Sequence, residues 1–366
     1  MERVAIIGGG PGGLMLARLL QLRGLSPVVF ERDAHAGERP QGGSLDLHGE
    51  TGQRAMRLAG LEEEFASAAR PEDQGDRLYD PDGNLLFDRD GEGDDRPEID
   101  RTDLRHILLA SLAPNAVRWD HRVNEIVPAP SGVTVICDGM REDFDLVVGA
   151  DGAWSRVRPL LTDATPAYEG VTLVELGFDA HRHPQVASLT GDGKMFAVGC
   201  NRALITQKNG SGHIRGYAGM RMPESLAREW SDWPSGQIRA AVLDAFSEWA
   251  PSLLAVIEQG DFIAVRPMYA LPIGHRWSHR SGVTMLGDAA HLMSPFSGEG
   301  VNLALADAVD LAEAIPTGRD AVARAEASIC DRAKPAADGA AQGLGGAFSD
   351  KGVTRVLEHY QERVAG

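Results

Sequence analysis

Three short stretches carry residue types whose spacing suits the binding of a nucleotide. GGGPGG, residues 8–13, places glycines at 8, 10 and 13 between an apolar run, Val4 to Ile7, and the helix-periodic run LMLARLLQLRG. Glycine in such a loop permits a tight turn and lets backbone approach a pyrophosphate closely, while the helix start offers unpaired N–H groups and positive dipole charge. Glu31 closes the next apolar run, SPVVFE, about 20 residues on, where a carboxylate can take ribose hydroxyls. Strand, glycine turn, helix, strand and acid in register predict dinucleotide binding with a free adenosine 2′-OH, as in NAD or FAD. The competing reading is a glycine-rich packing turn.

The second stretch, VVGADGAWSRVR (147–158), sets Asp151 and Gly152 at the carboxyl end of a buried strand, where ligands of open α/β sheets collect. The third, GDAAHLMSPFSGEG (287–300), lies far along the chain. There Asp288 ends the apolar run VTMLG, and Gly298 and Gly300 precede the helical pattern VNLALADAVDLAEA. A carboxylate so placed suits a polyol, and the helix start suits an anion beside it. His291 reads as a structural side chain, because the spacing suggests no acid–base partner for it. No GxSxG surrounds any serine, which removes an α/β-hydrolase nucleophile.

These segments need a scaffold, and the chain is long enough for one. Its 366 residues point to about two domains. A net charge of −17 disfavours a polyanionic partner such as nucleic acid. No apolar run approaches a membrane span, and MERVAIIGGG enters a strand directly, so a cytoplasmic protein without a membrane partner is expected. Cys137, Cys200 and Cys330 are scattered without metal-ligand spacing, so neither a metal site nor a disulfide framework is expected. The first βαβ unit opens a parallel sheet. YDPDGNLLFD reads as a hairpin around Asp82-Gly83, and GEGDDRP as a solvated turn. VTLVELGF, KMFAVG, RALITQ and HIRGYAGM read as antiparallel strands, with a turn at Asn209 to Gly212 and one amphipathic helix from Ile238 to Glu258. The expected domains are residues 1–70, 97–165 and 268–317 for the nucleotide, 71–96 and 166–267 for the substrate, and a helical tail, 318–366, interrupted near GLGGAFSDKG.

In order and spacing, GxGxxG with its acid, DRxxLR, the late DG and the GDAAH-PxxGxG block resemble the class A flavoprotein monooxygenases over roughly residues 1–165 and 268–315. FERD, GGSLDLHGETGQ, PEIDRTDLR and GDAAHLMSPFSGEGVN look most like the tetracycline-inactivating flavin monooxygenases. The resemblance implies an α/β fold: a Rossmann-like FAD-binding domain of the p-hydroxybenzoate hydroxylase type, an inserted, mostly antiparallel substrate sheet, and a C-terminal helix. It implies that Gly8, Gly10 and Gly13 hold the pyrophosphate of FAD, Glu31 and Arg32 its adenosine end, Asp288 the ribityl chain, and Pro295, Gly298, Gly300, Val301 and Asn302 the ring. Asp46 and Arg105 match further FAD contacts. Arg39 matches a nicotinamide-binding arginine, and Asp151-Gly152 a motif associated with FAD and NADPH.

On this resemblance NADPH or NADH is a transient reductant, O2 a co-substrate, and a flavin C4a-hydroperoxide the oxygen donor, so no protein side chain is catalytic. Where the tetracycline group carries a glutamine and a histidine in its substrate sheet, this sequence has Ser188 and Arg215. The substrate expected is therefore broader: a planar phenol or enol, tetracycline-like or another aromatic polyketide, met by Arg215, Ser188, Met220 and Phe296. Arg215, if buried, would suit an enolate or phenolate as a cation. A monomer is expected. The alternatives are a non-oxygenating flavoprotein reductase or dehydrogenase and an FAD-containing drug-binding protein; the halogenase WxWxIP pattern is missing.

Overall fold

A computed structural model describes residues 3–38, 42–93, 95–129 and 132–365. The chain divides into two compact units, one of residues 1–69, 101–167 and 269–340, the other of 70–100, 168–268 and 341–366.

The first unit is built on a five-stranded parallel sheet, ordered Val283–Met285, Leu146–Gly149, Val4–Ile7, Val28–Phe30, Val117–Arg118. Its central strands, VAII and LVVG, are buried at every position. Continuous apolar runs of this kind are what a parallel sheet covered on both faces requires. Helix Pro11–Leu22 starts on a proline, whose missing N–H costs nothing in a first turn, and buries Leu14, Met15, Leu16, Leu19 and Leu20. Gly12 lets it close on helix Gly300–Thr317: a Cβ there would stand 3.1 Å from the Ala304 carbonyl oxygen. A three-stranded antiparallel sheet, Val123–Ala129, Gly132–Cys137 and Met140–Phe144, buries Val133, Val135 and Phe144 with Phe30 and Val147 in one core.

The second unit is a seven-stranded sheet ordered Asp261–Ala270, Ala167–Asp179, His213–Arg221, Arg202–Lys208, Gly193–Gly199, Gly75–Tyr79, Leu85–Arg89. His213–Arg221 is antiparallel to both Ala167–Asp179 and Arg202–Lys208, Arg202–Lys208 to Gly193–Gly199, and Gly75–Tyr79 to Leu85–Arg89, whereas Gly193–Gly199 runs parallel to Gly75–Tyr79. Strand alternation sends Val174, Leu176, Phe178, Met195, Leu204, Ile214, Ala218 and Met220 to one face, where Trp230, Ile238, Val242, Phe246, Trp249 and Leu253 of the helical segment cover them. Glu175, Arg215 and Tyr217 take the other parity. Part of that opposite face is held by the chain's end: Arg221 Nε donates to the Phe348 carbonyl at 2.7 Å, and Phe87 stacks on Tyr360 at 5.1 Å.

The single helix expected from Ile238 to Glu258 is two, Ser235–Ala245 and Pro251–Gln259. Pro251 disfavours helical backbone at the residue before it, and Ala250 accordingly sits at ψ 139°. The tail breaks where expected: the interruption between helices Arg319–Ala347 and Gly352–Ala365 falls at 348–351, within GLGGAFSDKG, and residues 341–366 group with the second unit. The fully buried Phe348 ring, 2.7 Å from where a Gly219 Cβ would be, supplies the reason. The Asp82-Gly83 hairpin forms as expected, with Gly83 at φ +80°. Among the described residues no helix is long and apolar enough to cross a membrane.

Phe246 is fully buried and meets Trp249 edge-on at 4.8 Å. Phe246→Ala is expected to lower the stability of the second unit by about 3–5 kcal/mol, read as a lower urea midpoint for its unfolding transition.

Candidate functional site

Four loops leave the carboxyl ends of adjacent parallel strands, and they contain most of the residues singled out in the sequence. Gly8 has φ +111°, and a Cβ there would lie 2.3 Å from the Ala150 carbonyl oxygen; one at Gly13 would lie 2.2 Å from the Gly8 oxygen. Those two glycines are demanded by the protein's own packing. Gly10 is different. It sits at φ −78° with nothing within 4 Å of its Cβ position, beside a helix start that no side chain caps. The loop thus leaves open the side on which N–H groups and dipole favour an anion.

Glu31, 4% exposed, follows the second strand. Its Oε2 accepts the Gly9 N–H at 2.7 Å and its Oε1 the Asp33 N–H at 3.0 Å, so it braces the glycine loop. Arg32 is exposed beside it. Arg105, on helix Arg101–Ala110, is buried; its guanidinium donates to the Gly9 carbonyl at 3.3 Å and the Ala36 carbonyl at 2.9 Å, and meets Asp33 at 3.3 Å. Its described contacts are therefore to the loop rather than to solvent.

Asp151 Oδ2 accepts the Arg156 N–H at 2.7 Å, whereas its buried Oδ1 has no partner among the described residues. Burial pushes this carboxyl above the usual range. Gly152 adopts φ +79° with open space at its Cβ position. Asp288 is exposed at the start of helix Asp288–His291. Between the two motifs lies Arg158, 3% exposed, donating to the carbonyls of Ala289 at 2.8 Å, Asp288 at 3.0 Å and Ala153 at 2.9 Å. Burial lowers its pKa. Sequence reasoning passed over Arg158; its only signal was a second arginine, after Arg156, just past the DG turn.

His291 has a partner after all. Its Nε2 lies 2.6 Å from Asp307 Oδ2, which also accepts the Gly287 N–H at 3.0 Å, while Oδ1 takes Arg332 at 2.8 Å. Burial works to neutralise both residues, but the ion pair prevails, holding His291 raised and Asp307 lowered. The pairing spans a helix turn and a loop, which spacing alone does not reveal.

At the start of helix Gly300–Thr317, Gly298 is left-handed at φ +69°, Gly300 has open space at its Cβ position, and no side chain caps the helix. Val301 is half-buried, Pro295 exposed and Phe296 half-buried. Asn302 is fully buried, and its side chain turns inward: Oδ1 accepts the His48 N–H and Nδ2 donates to the Asp46 carbonyl, both at 2.9 Å. His48 lies between Asp46 at 3.3 Å and Glu299 at 3.5 Å. Burial works against its charge, but the two carboxylates raise its pKa to about 9. Arg39 lies outside the described residues.

In the second unit the residues expected at the substrate do not share a surface. Met220 is in the helix-covered core. Ser188 lies on helix Pro184–Thr190, on that same side, where its carbonyl accepts Arg77 at 2.7 Å. Arg215 faces the opposite way and is paired: Glu175, 3% exposed, meets Arg215 at 3.2 Å and Arg266 at 2.7 Å. Strand alternation separates Met220 from Arg215, five residues apart, and Ser188 lies on a helix rather than on a strand of the sheet. Among the described residues no group of three potential metal ligands comes together.

Comparison with known proteins bears on these loops directly. The family described as FAD binding domain matches residues 1–318. The chain is 32% identical to monooxygenase asqM of Emericella nidulans, covering 85% of this chain and 83% of that one. It is 30% identical to the 3-amino-4-hydroxybenzoate 2-monooxygenase PtmB3 of Streptomyces platensis, over 85% and 78%. The solved tetracycline destructase Tet(55) superposes with a TM-score of 0.77 at 21% identity, over 100% of this chain and 95% of that one.

The His48 arrangement makes a pH prediction. Its folded pKa exceeds the ordinary 6.5, so the stabilisation it contributes is complete below 6.5 and is lost as pH rises through about 9. Release of FAD, followed by the recovery of free flavin fluorescence, is expected to accelerate above about pH 9. His48→Gln should release FAD faster at pH 7 and show no inflection; a wild-type profile flat to pH 10 contradicts the assignment, with pH 10 reached at roughly ten times the alkalinity of the His48 midpoint.

Proposed function

The chain belongs to the FAD-binding-domain family of flavin-dependent monooxygenases, and on that premise we propose that it uses NAD(P)H and O2 to hydroxylate a planar phenol- or enol-bearing molecule of the aromatic or polyketide kind. The observation that carries this reading is the gathering of the glycine loop, Glu31, the DG turn and the GD turn at one edge of one parallel sheet. Nucleotides bind at this edge of open α/β sheets.

The residues present fit FAD. Two uncapped helix starts, the open side of Gly10 and the unpartnered Asp151 Oδ1 leave polar groups of the right sign without protein partners. In this reading the N–H groups following Gly10 take the pyrophosphate and Glu31 the adenosine ribose. Asp288 takes the ribityl hydroxyls, and the backbone at Gly300 and Val301 meets the pyrimidine end of the ring. That helix start favours negative charge there by about 0.3–2 kcal/mol. Asn302 serves indirectly, by holding residues 46–48 against the helix. Bound FAD supplies the reductive activation of O2 and the transfer of one oxygen atom.

Arg215 and Arg266 share one buried carboxylate, so this cluster carries one net positive charge, suited to an enolate or phenolate. PtmB3, named for a phenolic acid, and the tetracycline destructase, named for a polyketide, are consistent with that class.

Gly10→Ala separates cofactor fit from folding. The apoprotein should lose at most about 1 kcal/mol of stability while FAD affinity falls roughly tenfold or more; Gly13→Ala, which collides with backbone, should impair folding itself. The reaction is tested by NADPH oxidation across tetracyclines, naphthoquinones and phenols, with mass spectrometry for a gain of one oxygen. Stoichiometric peroxide without oxygenated product from every compound refutes hydroxylation. Arg215→Gln is expected to raise KM for ionised substrates roughly tenfold or more, with less effect on neutral analogues.

A further inference from the structure

Asp307 occupies one nitrogen of His291; the other, Nδ1, belongs to the wall of a separate cavity in the first unit. This cavity measures about 20 Å³ and is bordered by His275, Trp277, His291, Lys334 and apolar residues including Leu271 and Ile329. Three nitrogens of that wall are buried and have no hydrogen-bond partner among the described residues: His275 Nε2, Trp277 Nε1 and His291 Nδ1. Buried polar nitrogens are ordinarily met, and three unmet ones on one cavity need an explanation. The volume suits a single occupant the size of a water molecule or a monatomic ion.

We propose that the cavity is a binding site for one halide-sized anion, held by Trp277 Nε1–H, His291 Nδ1–H and His275 beside the Lys334 side chain. The polarity of the wall selects the charge. Trp277 can only donate. His291 gives its Nε2–H to Asp307 at 2.6 Å, and although burial opposes its charge, that carboxylate keeps the ring protonated, leaving Nδ1–H to donate as well. The Lys334 stem, 3.4 Å from the Gly274 Cβ position, forms part of the same wall, and the residue is exposed.

His275 supports the sign independently. Burial lowers its pKa, and the charged neighbours acting on it, Arg158 and His291, are both cationic and lower it further. Two cations thus act at the His275 side of the cavity, while Asp331 and Glu326 act on Cys330 in the same wall. A water would bring two protons into this wall and find as side-chain acceptors only His275 Nε2 and the weakly accepting Cys330 sulfur. A halide brings none.

An anion here would join the 275–277 segment to His291, and through Asp307 to the Gly287–Asp288 turn. Its expected effect is on the rigidity of that turn, and it does not depend on the identity of the substrate.

Crystals of the FAD-loaded protein grown in sodium bromide should show an anomalous scattering peak within hydrogen-bonding reach of Trp277 Nε1 and His291 Nδ1. In solution, Tm of the FAD-loaded protein should rise with chloride or bromide at constant ionic strength made up with gluconate. Trp277→Phe keeps an aromatic ring and removes the donor, so the apparent halide Kd should rise roughly tenfold or more, the factor one charge-assisted hydrogen bond is worth. His275→Gln provides a second variant. A cavity without anomalous signal, holding a water, overturns the proposal, as does a halide effect undiminished in Trp277→Phe. Should neither variant fold, the wild-type bromide map decides alone.

Discussion

A buried guanidinium with carbonyls for partners is the constraint on which the cofactor region depends. Arg158 lies in the interior and spends its N–H groups on the Ala153, Asp288 and Ala289 carbonyls, joining segments about 130 residues apart in the chain. Carbonyl dipoles offset only part of the cost of dehydrating a cation, so the charge is tolerable because Asp151 and Asp288 act on it from nearby. The arginine in turn orders the two turns that carry those carboxylates. Backbone is held from within, and the acidic side chains are left for a ligand.

The same division recurs at each loop. Glu31 and Arg105 brace the glycine turn, Asn302 braces the start of helix Gly300–Thr317, and Asp307 braces the Gly287 turn. Each of these buried polar side chains spends hydrogen bonds on loop backbone, which fixes the shape of the loop. Among the described residues, the groups this edge leaves for a cofactor include helix-start N–H groups, Asp151 Oδ1 and the exposed Asp288. A preorganised surface of this kind stabilises developing negative charge without reorganising at the moment of reaction. The second unit follows a parallel logic: helices cover one sheet face with apolar side chains, and on the other a buried Glu175 orients two arginines.

The errors of sequence reading have physical sources. Periodicity continued smoothly across Pro251, so the helix break was visible only as a single residue. GLGGAFSDKG marked the break in the tail, but not the packing of Phe348 against Gly219 that accompanies the grouping of residues 341–366 with the second unit. Met220 and Arg215 sit in one strand-like run, where composition does not say which parity faces the helices. His291 seemed partnerless because Asp307 is 16 residues away, on another helix. Arg158 was invisible as a brace because carbonyl groups leave no mark in a sequence.

What the sequence determined by itself were the βαβ opening, the nucleotide loop, the acid after the second strand and the order of the late motifs. Each of these is local, set by steric freedom at glycine and by the period of apolar residues. Only the tertiary structure decided which polar groups are used up in bracing and which remain for a ligand. That outcome depends on distances between residues remote in the chain, and burial multiplies the energy of every such pairing.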